Sequence, residues 1–181
     1  AQEPKVVKYL DIPLQHANDG ILRAMNRRGT KAEMLALIRK LRSRIPNLVL
    51  RTSLICGFPG EGNAEFEELM DFLTETRMER VGVFPFSPQE GTPASKMGGC
   101  AEESVVNERI RLIMDLQSDR MDEYNEKMQG RDLRVLCESI DPESGLYVGR
   151  SYADSPEIDG RVLFRAEQPL AGGDMPVVHI T

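Results

Sequence analysis

The chain has 181 residues, 40% of them hydrophobic and 29% charged, with a formal net charge of −6 and no tryptophan. That length holds one mid-sized domain or a domain with a small appendage, and the composition is that of a folded globular chain rather than a disordered one. The acidic excess argues against wholesale nucleic-acid binding, and the lack of an apolar run of about eighteen residues argues against a membrane-spanning helix.

The N-terminal stretch AQEPKVVKYL lacks the apolar h-region of a secretory signal. Three scattered cysteines, Cys56, Cys100 and Cys137, fit a reducing, cytoplasmic setting better than a disulfide framework. Their spacing forms no C-x-x-C, so they predict no local zinc or iron–sulfur site.

In chain order, Val6 to Leu14 reads as a strand, with Pro13 near its end. A short helix follows from Asp19 to Asn26, and RRGT breaks it at Gly29. Thr30 and Glu33 form a T-x-x-E capping box. Behind it, Met34, Leu37, Ile38, Leu41 and Ile45 recur at helical spacing until Pro46. Leu48 to Cys56 is an almost continuous apolar run, as expected of a parallel strand buried on both faces. GFPGEGN turns the chain, and Asn63 is placed to cap the next helix, whose apolar face is Phe66, Leu69, Met70 and Leu73. Val81 to Ser87 is a third strand, followed by the PQEGTPAS loop. A long helix spans about Glu102 to Met128, with Val106, Ile110, Ile113, Met121, Tyr124 and Met128 on its apolar side and Gly130 just beyond its end.

At about residue 131 the pattern changes to short strands separated by DPESG, DSPEIDG and AGGD turns, a small antiparallel β-domain. Four basic and nine acidic residues give positions 132–181 a net charge of −5, whereas the first 131 residues carry −1. Three strands are too few to close a barrel, and the last strand stops at the final residue. Both features predict a fragment, with an exposed first strand open to edge-to-edge self-association.

In α/β sheets, ligands gather beyond the carboxyl ends of the strands. GFPGE lies there: Gly57 and Gly60 permit close backbone approach, and Glu61 could accept from a donor-rich ligand. A tight turn without a ligand is the competing reading, and it is favoured on these residues alone. Gln15 and His16 end the first strand; a structural histidine outweighs an acid–base one there. Arg51 needs a partner, either a ligand carboxylate or one from the protein such as Asp11. Cys56 reads as a small buried hydrophobe more readily than as a reactive thiol. Asp154, Glu157 and Asp159 crowd one turn, either as a solvated loop or as a contact for a basic partner.

Four motifs occur in order: YLDIPLQHANDGILRAMNRRGT, RTSLICGFPGEGNAEFEEL, RVGVFPFSPQEGTPASKM and GRSYADSPEIDG. Together they resemble the radical S-adenosylmethionine (radical SAM) methylthiotransferases, from about Lys8 to Thr181. The last motif resembles the branch that methylthiolates the β-carbon of an aspartate in a small-subunit ribosomal protein. The resemblance implies an α/β fold: the C-terminal half of a radical SAM partial (β/α) barrel over residues 1–130, then an OB-like TRAM domain over 131–181, truncated at its end.

The family implies S-adenosylmethionine and two 4Fe–4S clusters in the parent enzyme. The cluster-binding C-x-x-x-C-x-x-C motif is absent here, so no cluster is expected in this chain and the chain alone is expected to be inactive. By resemblance, Gln15, Arg51, Gly57, Phe58, Pro59, Gly60 and Glu61 lie on the cofactor side. Phe86 and Ser87 line the mouth, and Asp154, Glu157 and Asp159 face the partner. A β-domain at −5 favours a basic ribosomal protein over transfer RNA, the substrate of the sister branch. A non-catalytic docking module is the alternative from another class.

Overall fold

The computed structural model describes Glu3 and residues 5–181; Ala1, Gln2 and Pro4, from the stretch read above as no leader, lie outside it. The chain divides into two compact units. One is Leu10–Asp122; the other is Glu123–Thr181 together with the described residues up to Tyr9.

In the first unit, β1 (Tyr9–Asp11), β2 (Val49–Cys56) and β3 (Arg80–Pro85) form a sheet in that order. β2 and β3 run parallel, in register from Arg51 opposite Arg80 to Cys56 opposite Pro85. β1 is far shorter than the Val6–Leu14 strand expected from sequence, because Pro13 supplies no N–H to a ladder. Contact with β2 nevertheless resumes at Gln15, whose N–H donates to the Ser53 carbonyl (2.9 Å) and whose carbonyl accepts from Ile55 (2.8 Å).

β2 is not buried on both faces, as its apolar run had suggested. Thr52, Leu54 and Cys56 are fully buried, whereas Arg51, Ser53 and Ile55 are half-exposed. The helices α1 (Asp19–Ala24), α2 (Lys31–Arg44), α3 (Asn63–Thr76) and α4 (Glu103–Met128) complete the connections. One core gathers Leu50, Leu54, Leu69, Phe72, Met78 and Ile113.

The ends of the helices follow their local chemistry. Asn18 caps α1 by accepting from Gly20 and Ile21. Thr30 and Glu33 cap α2 reciprocally. On α2 only Ile38 is fully buried, and Leu37 faces solvent, off the stripe assigned to it. Gly62, not Asn63, is the N-cap of α3; its N–H is taken by Glu65 (2.9 Å). Asn63 is then the first helical residue, free to serve elsewhere.

In the second unit, β4 (Asp132–Arg134) pairs antiparallel with β8 (Val177–His179). The strands β5 (Leu136–Ile140), β6 (Tyr147–Arg150) and β7 (Val162–Phe164) form an antiparallel sheet with a bulge between Cys137 and Ser139. Its core is Val135, Cys137 and Phe164, packed by Leu133, Tyr147 and Val178. Gly149 lets β6 press against the preceding strand: a Cβ there would meet the Leu136 carbonyl oxygen and the Val135 side chain.

Candidate functional site

The turn after β2 is built around a buried carboxylate. Glu61 folds back so that Oε2 accepts from the Gly57 N–H (3.0 Å) and lies 3.4 Å from His16 Nε2. Its Oε1 accepts from Arg109 Nη1 (2.8 Å) and from the Cys56 thiol (3.5 Å). Arg109 comes from α4 and also donates to the Glu61 carbonyl and to Asn63 Oδ1, both at 3.0 Å, while its guanidinium lies 5.3 Å from the centre of the Phe66 ring. The side chains of His16 and Glu61 are wholly buried.

The ring of His16 is oriented by the backbone. Its Nδ1 accepts from the Asn18 N–H (2.9 Å), so the proton of the neutral ring resides on Nε2, toward Glu61. Burial pushes the Glu61 carboxyl upward, but the adjacent His16 ring, the Gly57 N–H and the Arg109 charge outweigh it, and the group ends below its ordinary range. The same burial, with Glu61 beside it, pushes the Cys56 thiol up to about 12. Cys56 is therefore an inert core thiol.

The glycines of the turn have different jobs. Gly57 has φ +81°, and a Cβ there would meet Val106 Cγ2 of α4 at 2.5 Å. Its close approach is to a helix of the same chain, not to a ligand. Gly60 has φ +89°, and its N–H donates to the Gly99 carbonyl (3.2 Å).

Beside this turn lies a cavity of about 640 Å³, a volume suited to a small-molecule ligand. The ends of β2 and β3 contribute Ser53, Ile55, Phe84 and Pro85, and the following segments contribute Phe58, Phe86, Ser87 and Thr92. Gln15 and the segment Ala24–Arg27 form the remaining wall. Phe58 and Phe86 meet edge to face, with centroids 5.0 Å apart. Gln15 (φ +73°) and Asn26 (φ +56°) both hold left-handed backbone, a strained state for a residue with a side chain and one that clusters at binding sites.

Of the residues singled out from sequence, Gln15, Phe58, Phe86 and Ser87 line this cavity together. Gly57, Pro59, Gly60 and Glu61 lie in the turn that supports it and do not line it. Arg51 does not line it either; its guanidinium is paired with Asp11, the protein-carboxylate alternative. Asp154 accepts from the Ser151 N–H (3.0 Å) and hydroxyl (2.7 Å). Asp159 accepts from the Ser155 N–H (2.8 Å) and the Tyr9 hydroxyl (3.0 Å). Glu157, at φ +63°, is exposed. The acidic turn is therefore largely self-bonded.

Sequence reasoning missed Arg109, Ser53, Ile55 and Arg27. Arg109 interrupts the Val106–Ile110–Ile113 stripe, a signal that was available. Ser53 and Ile55 alternate with the buried positions of β2. Among the described residues, no group of three His, Cys, Asp or Glu side chains is placed to hold a metal ion, and no helix is long and apolar enough to cross a membrane.

Two family models match in order: the radical SAM superfamily over residues 2–73 and the TRAM domain over residues 130–181. Curated relatives named "Ribosomal protein uS12 methylthiotransferase RimO" align along almost the whole chain. The relative from Desulforamulus reducens is 45% identical over 99% of this chain and 41% of its own length; that from Thermoanaerobacter sp. is 45% identical over 98% and 40%. That from Elusimicrobium minutum is 41% identical over 100% and 41%.

The chain carries a radical SAM segment followed by a TRAM domain, and along its length it is similar to RimO methylthiotransferases.

The chain spans about two fifths of the length of the relatives it matches. The radical SAM enzyme coproporphyrinogen III oxidase (HemN) from Escherichia coli shares the fold. It has a TM-score of 0.54 at 17% identity, covering 62% of this chain and 27% of its own. The chain joins a partial radical SAM barrel to a TRAM domain.

Proposed function

We propose that this chain supplies the adenosyl-binding wall and the TRAM domain of a methylthiotransferase. The whole protein then adds a methylthio group to the β-carbon of an aspartate in a small-subunit ribosomal protein, in the cytoplasm. The observation that carries this reading is the strand-end cavity, with its aromatic walls and strained Gln15, in a chain 45% identical to RimO proteins. The domains run 1–130 and 131–181.

The cavity fits S-adenosylmethionine: it is large enough for a nucleoside, Phe58, Phe84 and Phe86 offer apolar faces, and Gln15, Asn26, Ser53 and Ser87 offer polar groups. When bound, this cofactor supplies the one-electron chemistry. The chain's residues exclude water and hold the adenosyl group in place, with the Glu61–Arg109 pair fixing the turn that carries Phe58. Gly57, Pro59 and Gly60 shape that turn, and Arg51 braces β1 against β2.

Among the described residues, the cysteines do not fit an iron–sulfur cluster. Cys56 is buried with its thiol near 12, Cys137 is buried, and Cys100 is exposed and separate. The two 4Fe–4S clusters of the whole protein are placed on other cysteines. The basic ribosomal partner is assigned to the acidic TRAM domain, with Glu157 as its exposed acidic contact, and transfer RNA is the competing substrate.

The test is complementation. In a bacterium deleted for its ribosomal methylthiotransferase, the gene for this chain with its flanking coding sequence is expressed, and the target ribosomal protein is weighed by mass spectrometry. Gain of one methylthio group in place of hydrogen is expected. No gain, or methylthiolation of transfer RNA instead, refutes the assignment. S-Adenosylhomocysteine is expected to bind the chain itself.

A further inference from the structure

The His16 side chain is wholly buried and does not line the 640 Å³ cavity. It stands between two parts of the chain that shape one wall. Gln15 precedes it, and Asn18, two residues on, caps the helix α1 that leads into the wall segment Ala24–Arg27. Burying an imidazole costs free energy that an apolar side chain at this position would avoid. Both ring nitrogens are nevertheless turned to the frame of the cavity.

Nδ1 accepts from the Asn18 N–H (2.9 Å). The Asn18 side chain in turn accepts from the Gly20 N–H (2.8 Å) and the Ile21 N–H (3.0 Å), so the ring holds the residue that starts α1. Nε2 lies 3.4 Å from Glu61 Oε2 and has no hydrogen-bond partner among the described residues. That oxygen is the one that accepts from the Gly57 N–H (3.0 Å), directly before Phe58 of another wall. Arg109 and Cys56 occupy the other oxygen, Oε1. The carboxylate charge attracts the Nε2–H dipole, and burial strengthens the attraction. The Asn18 N–H fixes the tautomer, because a proton on Nδ1 would face another donor.

We propose that His16 is a positioning residue of this site: as the neutral Nε2–H tautomer, its ring couples the wall formed by Gln15 and the end of α1 to the turn that carries Phe58. The inference rests on the cavity's being the adenosyl site. His16 touches no ligand; it holds in register the two sets of residues that do.

The test uses the whole chain, with S-adenosylhomocysteine as the probe. In wild type at pH 7, long-range nitrogen–proton spectra are expected to show His16 protonated at Nε2 alone. Adding the probe is expected to shift the ring resonances, although the ring lies outside the cavity. A proton on Nδ1, an imidazolium, or ring resonances that stay in place with the probe bound overturns the inference.

Two substitutions each keep one end of the ring. Asn places its Oδ1 acceptor where Nδ1 lies, and Gln places its Nε2 donor where the ring Nε2 lies. His16→Asn is expected to leave the Met25 and Asn26 amide resonances in place and to shift those of Gly57 and Phe58; His16→Gln is expected to do the reverse. Each is expected to weaken binding of the probe by about 2-fold to 30-fold, the range for a residue that modulates a site without touching its ligand. Calorimetry well below each melting point reads this on folded chain. A melting point that falls while affinity stays at the wild-type value marks a purely structural histidine; it overturns the inference and leaves the cavity assignment standing. If a variant does not fold, the wild-type spectra decide. Failure of wild type to bind the probe overturns the cavity assignment and the inference with it.

Discussion

Replacing Glu61 by Gln removes one charge from the interior and reverses half of one group's hydrogen-bonding capacity. The carboxylate accepts from Gly57, Arg109 and Cys56 and faces His16 Nε2. An amide has one acceptor atom for these donors, and its NH2 confronts either Arg109 or the Gly57–His16 side. Arg109, whose side chain is 6% exposed, then keeps only two neutral acceptors, the Glu61 carbonyl and Asn63. Breaking a buried ion pair by removing one partner costs about 3–5 kcal/mol; the two surviving acceptors place this case near 3 kcal/mol. For a unit of this size that is a fall in Tm of roughly 10 °C.

The pH dependence gives a second check on the same variant. The folded Glu61 carboxyl lies below its ordinary 4.5, so the native state favours the ionised form. Its contribution is fully present above the unfolded pKa and is lost as pH falls through the folded pKa. Urea titrations at pH 7 and at several values below 4.5 are therefore expected to show the gap between wild type and Glu61→Gln shrinking toward acid. A gap under about 1 kcal/mol at pH 7, or one that does not change with acid, refutes the role given to this cluster.

Other consequences are more local. Gly57→Ala forces a Cβ to 2.5 Å from Val106 Cγ2 at φ +81° and is expected to cost about 2–4 kcal/mol, with Val106→Ala returning part of it in chemical denaturation. Gly149→Ala meets backbone at Leu136 that has no side-chain freedom to yield; loss of the β-domain's dispersed amide resonances is expected without loss of those from residues 10–122. Iodoacetamide at pH 8 is expected to label Cys100 in the native chain and to spare Cys56 and Cys137 until denaturant is added, which peptide mapping reads directly. Glu157→Lys is expected to weaken capture of the basic ribosomal protein at low salt without changing the melting curve, whereas Asp154→Lys, which breaks the Ser151 contacts, lowers the melting point as well.

The repeated strand–helix alternation, the capping box at Thr30 and Glu33, and the switch to short antiparallel strands were legible in sequence because each follows from local chemistry. The first strand was overextended because apolar alternation continues through Val6 and Val7 while strand pairing depends on a distant partner. The half-burial of β2 is hard to read because the apolar side chains of Leu48 to Cys56 mask the period-two alternation of buried and half-exposed positions. Gln15, Phe58, Phe86 and Ser87 were legible as strand-end residues. Arg51 came from the same reasoning with Asp11 as one of its two candidate partners, and Asp11 meets it; Glu61 was read toward a ligand, whereas its charge is met by Arg109, 48 residues away.

The segment between α1 and α2 is tied at several points. The Asp19 carboxylate at the start of one helix accepts from Lys31 at the start of the other, Asn18 Nδ2 donates to Glu68 of α3 (2.6 Å), and Arg27 is fastened to Pro13. Met25, Asn26 and Arg27 lie inside these ties and form a wall of the cavity. These ties restrict the segment before any ligand arrives, which lowers the ordering entropy left to be lost on association. The amides of this segment should accordingly exchange slowly with solvent before any ligand is added, and binding should slow them little further.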